Sequence, residues 1–161
     1  MLSKFKKEGI DVAVGDTNGD GVDEIIATTR ASKNTTVAVV TTVSGERLAK
    51  FNVSAAKYKS GANVTAGDVN GDGKDEVIVG IKAANKRPAK VIVIRAATPT
   101  KNRITLVPFG TTFTGDIDVA AYDTNADGKV EVMMSQASAG KALVKLYRLK
   151  PELKQIMSEE Y

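Results

Sequence analysis

Oxygen-bearing side chains recur on alternate residues of a short glycine-rich stretch, residues 67–76, which reads G-D-V-N-G-D-G-K-D-E. Asp68, Asn70 and Asp72 fill positions one, three and five of a loop, Lys74 places a backbone carbonyl at position seven, and Glu76 closes the loop at position nine. Carboxylate, amide and carbonyl oxygens are the ligands of hard cations, and the glycines let the backbone turn tightly. The pattern predicts a divalent-cation site, with calcium as the favoured ion.

The same nine-residue pattern occurs three times, beginning at residues 16, 68 and 123. Recurrence at intervals of 52 and 55 residues indicates that the loop belongs to a structural repeat. Up to three Ca²⁺ ions per chain are therefore expected. The predicted metal-ligating residues are Asp16, Asn18, Asp20, Val22, Glu24, Asp68, Asn70, Asp72, Lys74, Glu76, Asp123, Asn125, Asp127, Lys129 and Glu131.

Two other interpretations of these loops were weighed. An EF-hand needs a bidentate glutamate at position twelve and flanking helices, but position twelve is Ala27, Val79 or Met134, each within a strand-like run. The loops could also be Asn-Gly and Asp-Gly hairpin turns that bind nothing. A simple turn does not require five oxygen-bearing positions in fixed register, so the metal interpretation is favoured, least strongly for the third copy.

The composition indicates a globular protein made mostly of strands. Apolar residues make up 42% of the 161 residues, and they are chiefly valine, isoleucine and alanine, while aromatic residues make up only 5%. More than half of the 19 acidic residues fall in the three loops, so the 23 basic residues dominate elsewhere and the net charge is +4. Such a surface would favour an anionic partner, although scattered lysines more often mark a solvated face.

Short β-branched runs and turn signals divide the chain into three units of four strands each. The units cover about residues 5–57, 58–112 and 113–161, and in each one the acidic loop joins the first two strands. The last segment, from Pro151 to Tyr161, is predicted as the fourth strand of the third unit, with a short helix as the alternative. A single all-β domain of three repeats is expected.

The closing acid at position nine, with strands on both sides, resembles the FG-GAP or VCBS-type repeat, the blade of the integrin α-like β-propeller. The resemblance implies that the calcium loop joins the two innermost strands of a four-stranded blade. This chain departs from the family by having Glu at position nine, where Asp is common. In the third copy Ala126 replaces a glycine and Val130 replaces an acid, so the third site is expected to be the weakest.

Three blades do not close a ring, since propellers usually have roughly four to eight. We therefore expect two chains to associate as a homodimer with six blades. The competing expectation is that the chain is a fragment of a longer propeller.

The sequence favours a non-enzymatic role. Histidine and cysteine are absent, no phosphate-binding glycine motif occurs, and the acid pair Asp116 and Asp118 is expected to be turn-forming or exposed. The resemblance implies a structural scaffold, or extracellular recognition of an anionic polysaccharide or a surface protein, as in adhesion proteins. The alternatives are an accessory or catalytic part of a polysaccharide lyase or hydrolase, and an engineered or ancestor-like assembly without a ligand. Neither a nucleic-acid partner nor a membrane span is expected. A secreted or cell-surface location is expected without excluding the cytosol.

Overall fold

A computed structural model of the chain describes residues 9–30, 36–54, 60–101, 103–150 and 152–161. These residues form twelve β-strands. The strands are β1 (Ile10–Gly15), β2 (Glu24–Thr29), β3 (Val37–Thr41), β4 (Arg47–Asn52), β5 (Ala62–Gly67), β6 (Glu76–Ile81), β7 (Lys90–Ile94), β8 (Ile104–Leu106), β9 (Ile117–Tyr122), β10 (Glu131–Gln136), β11 (Leu143–Lys150) and β12 (Glu152–Glu160).

The strands are arranged as three antiparallel sheets of four, and in each sheet consecutive strands are neighbours. The first sheet holds β1 to β4, the second β5 to β8, and the third β9 to β12. The predicted all-β fold of three four-stranded repeats is therefore confirmed. The last segment is a strand paired with β11, as predicted, and not a helix.

Alternation of side chains along the strands explains how the sheets pack. Successive side chains of a β-strand point to opposite faces of the sheet. In β6, Val77, Val79 and Ile81 point to one face and Ile78 points to the other, and the whole strand is buried. The second sheet therefore has a covered face on each side.

Two hydrophobic clusters fill the spaces between the sheets. The first cluster places Ile26 and Val40 of the first sheet against Val79 and Ile94 of the second. The second cluster places Ile78 of the second sheet in the same core as residues of the third, among them Ile117, Val132, Met134 and Tyr147. The three sheets are thus stacked in chain order, like successive blades.

The first sheet has an apolar face that no other described sheet covers. Ile10, Val12 and Val14 of β1 and Ile25 of β2 are exposed on this face, and Val12 is 59% exposed. Within the described residues the sheets do not close into a ring. Nor do those residues include a helix of the length and apolar character that crossing a membrane requires.

Candidate metal centre

Each predicted metal loop connects the first two strands of its sheet as an eight-residue hairpin loop. The strand residues that bracket the loops pair with each other, Gly15 with Glu24, Gly67 with Glu76, and Tyr122 with Glu131. The glutamate at position nine is therefore the first residue of the second strand. Because strand pairing fixes the backbone of this glutamate, its side chain is held at the end of the loop.

The aspartate at position one organises the loop. Asp16 Oδ1 accepts hydrogen bonds from the N–H groups of Gly19 and Asp20 at 2.6 and 3.2 Å, and its Oδ2 accepts one from Gly21 at 2.8 Å. Asp68 accepts the corresponding three bonds, and Asp123 accepts the corresponding bonds from Asp127 and Gly128. The loop backbone is thus folded around one carboxylate in each copy.

The glutamate at position nine turns toward the loop and is buried in all three copies. Glu24 Oε2 accepts hydrogen bonds from Thr17 N at 2.9 Å and Thr17 Oγ1 at 2.7 Å, and its Oε1 accepts one from Asn18 Nδ2 at 2.8 Å. Asn70 and Asn125 make the same amide contact with their glutamates at 2.5 and 2.8 Å. The structure therefore brings positions three and nine together in every loop.

Two arginines that the sequence analysis did not single out contact these acids. Arg95 Nε lies 3.3 Å from Glu76 Oε1, and its terminal nitrogen lies 2.8 Å from Asp72 Oδ2. Arg148 Nε donates a hydrogen bond of 2.6 Å to Glu131 Oε1. Both arginines come from the third strand of their sheet or directly after it.

The ionisation of the buried glutamates reflects these surroundings. Burial raises the pKa of Glu76 to about 7, against the opposing effects of the Asn70 hydrogen bond and the Arg95 charge. Burial acts in the same direction on Glu131, but hydrogen bonds from Thr124 and Arg148 outweigh it and hold the pKa of Glu131 below its usual value. The balance between burial and hydrogen bonding therefore differs between the second and third loops.

At position one, hydrogen bonds favour the charged form. The Gly21 N–H contributes most to lowering the pKa of Asp16, and the other loop N–H groups add to it. For Asp123 burial opposes ionisation, yet the N–H groups of Gly128 and Asn125 still lower the pKa. These aspartates are ionised at neutral pH, as a cation ligand must be.

The donor chemistry fits a hard divalent cation, because each loop offers carboxylates at positions one, five and nine and an amide at position three. In the described residues, however, no three acidic side chains gather around one point. The hydrogen bonds above account for this, since the carboxylates turn toward N–H groups of their own loop. The fifteen predicted ligands therefore remain a prediction, although the aspartates, asparagines and glutamates share a loop as expected.

The loops also connect one sheet to the next. The Asp16 carbonyl accepts a hydrogen bond from Asp75 N at 2.8 Å, and the Asp68 carbonyl accepts one from Val130 N at 2.9 Å. Position one of a loop is thus bonded to position eight of the loop that follows. Ordering one loop therefore also orders the junction between two sheets.

The third loop differs at the residue that precedes position one. Gly15 and Gly67 occupy this place in the first two loops, and a Cβ there would lie 2.5 Å from Asp75 Oδ2 and 2.7 Å from Val130 Cγ2 respectively. Tyr122 occupies it in the third loop and is 67% exposed. The third loop therefore lacks the glycine that lets each of the first two loops approach the following loop closely.

A comparison with models of known protein families found a match that is consistent with the loop spacing and the blade-like stacking. Residues 16–79, which include the first two loops and most of β6, match the model of the FG-GAP-like repeat. Residues 16–79 are therefore an FG-GAP-like repeat segment. The resemblance expected from the closing acid and its flanking strands is thus confirmed. No curated protein sequence matches the chain.

Solved structures similar to this chain share its fold at low sequence identity. Rhamnogalacturonan lyase YesW matches with a TM-score of 0.66 and 19% identity, covering 93% of this chain and 34% of its own. The Bacillus licheniformis rhamnogalacturonan lyase PL11 matches with a TM-score of 0.65 and 18% identity, covering 93% and 34%. The exotype rhamnogalacturonan lyase YesX matches with a TM-score of 0.67 and 16% identity, covering 93% and 32%. The chain spans about a third of the length of these structures.

The acid pair outside the loops, Asp116 and Asp118, takes part in contacts between sheets. Asp118 is exposed and accepts a hydrogen bond from Asn63 at 2.5 Å, while Asp116 lies 3.3 Å from Lys82 Nζ. Each acid thus links the third sheet to the second.

Proposed function

We propose that this chain is a non-enzymatic, calcium-stabilised propeller module that serves as a scaffold or as an extracellular recognition unit. The supporting observation is the threefold recurrence of a hairpin loop whose buried position-nine glutamate is enclosed by oxygen-bearing residues. A bound ion would draw together carboxylates that otherwise repel one another, and the hydrogen bonds between loops would carry that order to the next sheet. The loop acids would then be ligands and not acid–base catalysts.

The ligand class is proposed from chemistry and fold together. Basic residues outnumber acidic ones outside the loops, which favours an anionic polymer. The similar solved structures are named as rhamnogalacturonan lyases, so an acidic polysaccharide of that type is the first ligand to test. A surface protein is the other partner class proposed for a module in a secreted or cell-surface setting.

We expect the chain to bind rhamnogalacturonan without cutting it. Electrophoresis through gels containing rhamnogalacturonan should retard the protein, while gels containing neutral dextran should not. Absence of retardation by this or any other acidic polysaccharide would refute the proposed carbohydrate recognition.

The second candidate function, part of a polysaccharide lyase, is favoured by the similarity over 93% of this chain. The same protein is incubated with rhamnogalacturonan, and the absorbance of unsaturated uronides is followed. We expect no increase above the rate without protein. Formation of unsaturated products would refute the non-enzymatic assignment and support the lyase alternative.

A six-bladed ring formed by two chains is proposed from the open face of the first sheet. Val12 and Val14 occupy places that correspond to Val64 and Ala66 of the second sheet, and the latter two pack against the first sheet. The exposed face of the first sheet thus matches, in position and residue type, the face of the second sheet that the first sheet covers. We therefore expect another sheet to pack on it. The third sheet of a second copy would do so, with Tyr122 making that junction different from the two within the chain.

We expect a light-scattering mass of twice 17.0 kDa at micromolar concentration. Val12→Lys should shift the mass toward one chain, because it places a charge in the proposed junction, whereas Val107→Lys, directly after β8, should not. A wild-type mass equal to one chain would refute the dimer, and the module would then require blades from a longer protein.

A further inference from the structure

The residue across the sheet from the position-nine glutamate differs among the three loops. Val77 pairs with Ile94 and Val132 pairs with Tyr147, so the next residues outward place Arg95 opposite Glu76 and Arg148 opposite Glu131. In the first sheet Ile25 pairs with Thr41. Thr42 therefore takes the place that arginine has in the other two sheets.

In the second and third loops the guanidinium groups contact the same carboxylates that would bind an ion. Arg95 bridges Asp72 at position five, 2.8 Å away, and Glu76 at position nine, 3.3 Å away. Arg148 lies 2.6 Å from Glu131, which is fully buried. Each arginine brings a positive charge to carboxylates that would otherwise need another counter-charge.

The first loop has no arginine opposite its position-nine glutamate. Among the described residues, Glu24 accepts hydrogen bonds only from neutral groups, the Thr17 N–H and hydroxyl and the Asn18 amide, and no lysine or arginine lies within ion-pair distance of it. Thr42 instead bonds within its own turn, its hydroxyl lying 2.8 Å from Ser44 Oγ. A buried carboxylate with only neutral donors gains most from a divalent cation.

We propose that Arg95 and Arg148 act as resident counter-cations of the second and third loops, and that the first loop is the principal calcium site. This inference rests on the proposed calcium-binding function. A guanidinium group and a calcium ion compete for the same carboxylate oxygens, so the arginines lower calcium affinity in their own loops. The relative calcium affinities of the three loops then depend on Thr42, Arg95 and Arg148 as well as on the ligands themselves.

Calcium binding by the full chain, measured by calorimetry with calcium chloride, tests the proposal. The wild type should show one tight site per chain. Arg95→Thr and Arg148→Thr should each raise the affinity of one further site by roughly 10- to 100-fold, since a hydrogen bond to a charged group is worth about 1.5 to 3 kcal/mol. Thr42→Arg should weaken the tight site by a similar factor, and Thr42→Val should leave it unchanged.

Circular dichroism in calcium and in chelator accompanies each titration and shows whether the variant is folded. If an arginine variant does not fold, the Thr42→Arg and Thr42→Val pair still decides the question, because it adds a charge without removing an existing ion pair. Three equivalent sites in the wild type, unchanged by these substitutions, would refute the inference and leave the calcium function intact. No calcium binding by the wild type or by any folded variant would refute the calcium function itself.

Discussion

Replacing Ile78 with alanine is expected to cost about 2 to 5 kcal/mol of unfolding free energy. Ile78 is 0% exposed and belongs to the cluster that fills the space between the second and third sheets. Removing three carbons there loses apolar burial and leaves a cavity, because sheets held on both sides cannot close around it. Urea denaturation measures the loss, with the slope of free energy against urea expected to stay constant.

Ile156→Ala is the matched control for this prediction. Ile156 also lies in a strand, but in β12 it is 47% exposed, so the same substitution should cost less than half as much. Equal losses for the two variants would contradict the placement of the second sheet between the other two.

Calcium is expected to produce the second large effect, a rise in melting temperature. An ion present at 100 times its dissociation constant stabilises the folded state by about 2.7 kcal/mol per site. For a chain of this size that corresponds to roughly 5 to 10 °C for a single site. The stabilisation by calcium should also reach the neighbouring sheet, because the backbone carbonyls of Asp16 and Asp68 each accept a hydrogen bond from the next loop.

Much of the fold followed from local patterns in the sequence. Each sheet has the four strands that β-branched runs and turn residues predicted for its unit, including the last segment of the third unit. The loops were recognisable because five oxygen-bearing positions recur at fixed spacing. Local alternation of this kind is set by the chain itself and does not depend on the neighbouring sheet.

The contacts of Arg95 and Arg148 could not be predicted in the same way. Each arginine meets its glutamate through the register of two neighbouring strands, and the connections between those strands differ in length and sequence. Arg95 follows Glu76 by 19 residues and Arg148 follows Glu131 by 17, so no fixed spacing marks the pair. Only the paired strands show that the two arginines and Thr42 occupy equivalent places.

Tyr122 illustrates a second limit. The third loop is preceded by Tyr122 where the first two are preceded by glycine, and the meaning of this difference depends on a contact with the following sheet. The closeness of Asp75 to Gly15 and of Val130 to Gly67 reveals why glycine is used there. The light-scattering mass therefore tests whether a second copy covers the exposed face of the first sheet.

The most direct test of the central claim, that the three loops hold calcium and thereby stabilise the blades, is melting temperature in calcium and in chelator. The wild type is compared with a triple variant, Asp20→Asn, Asp72→Asn and Asp127→Asn. Asparagine retains an oxygen that can accept the hydrogen bonds these aspartates receive from Val22, Lys74 and Lys129, but it removes the charge at position five. Glu46→Gln, at an exposed acid outside the loops, serves as the control. We predict that calcium raises the melting temperature of the wild type and the control but not that of the triple variant, and equal melting temperatures of the wild type in calcium and in chelator would contradict the account.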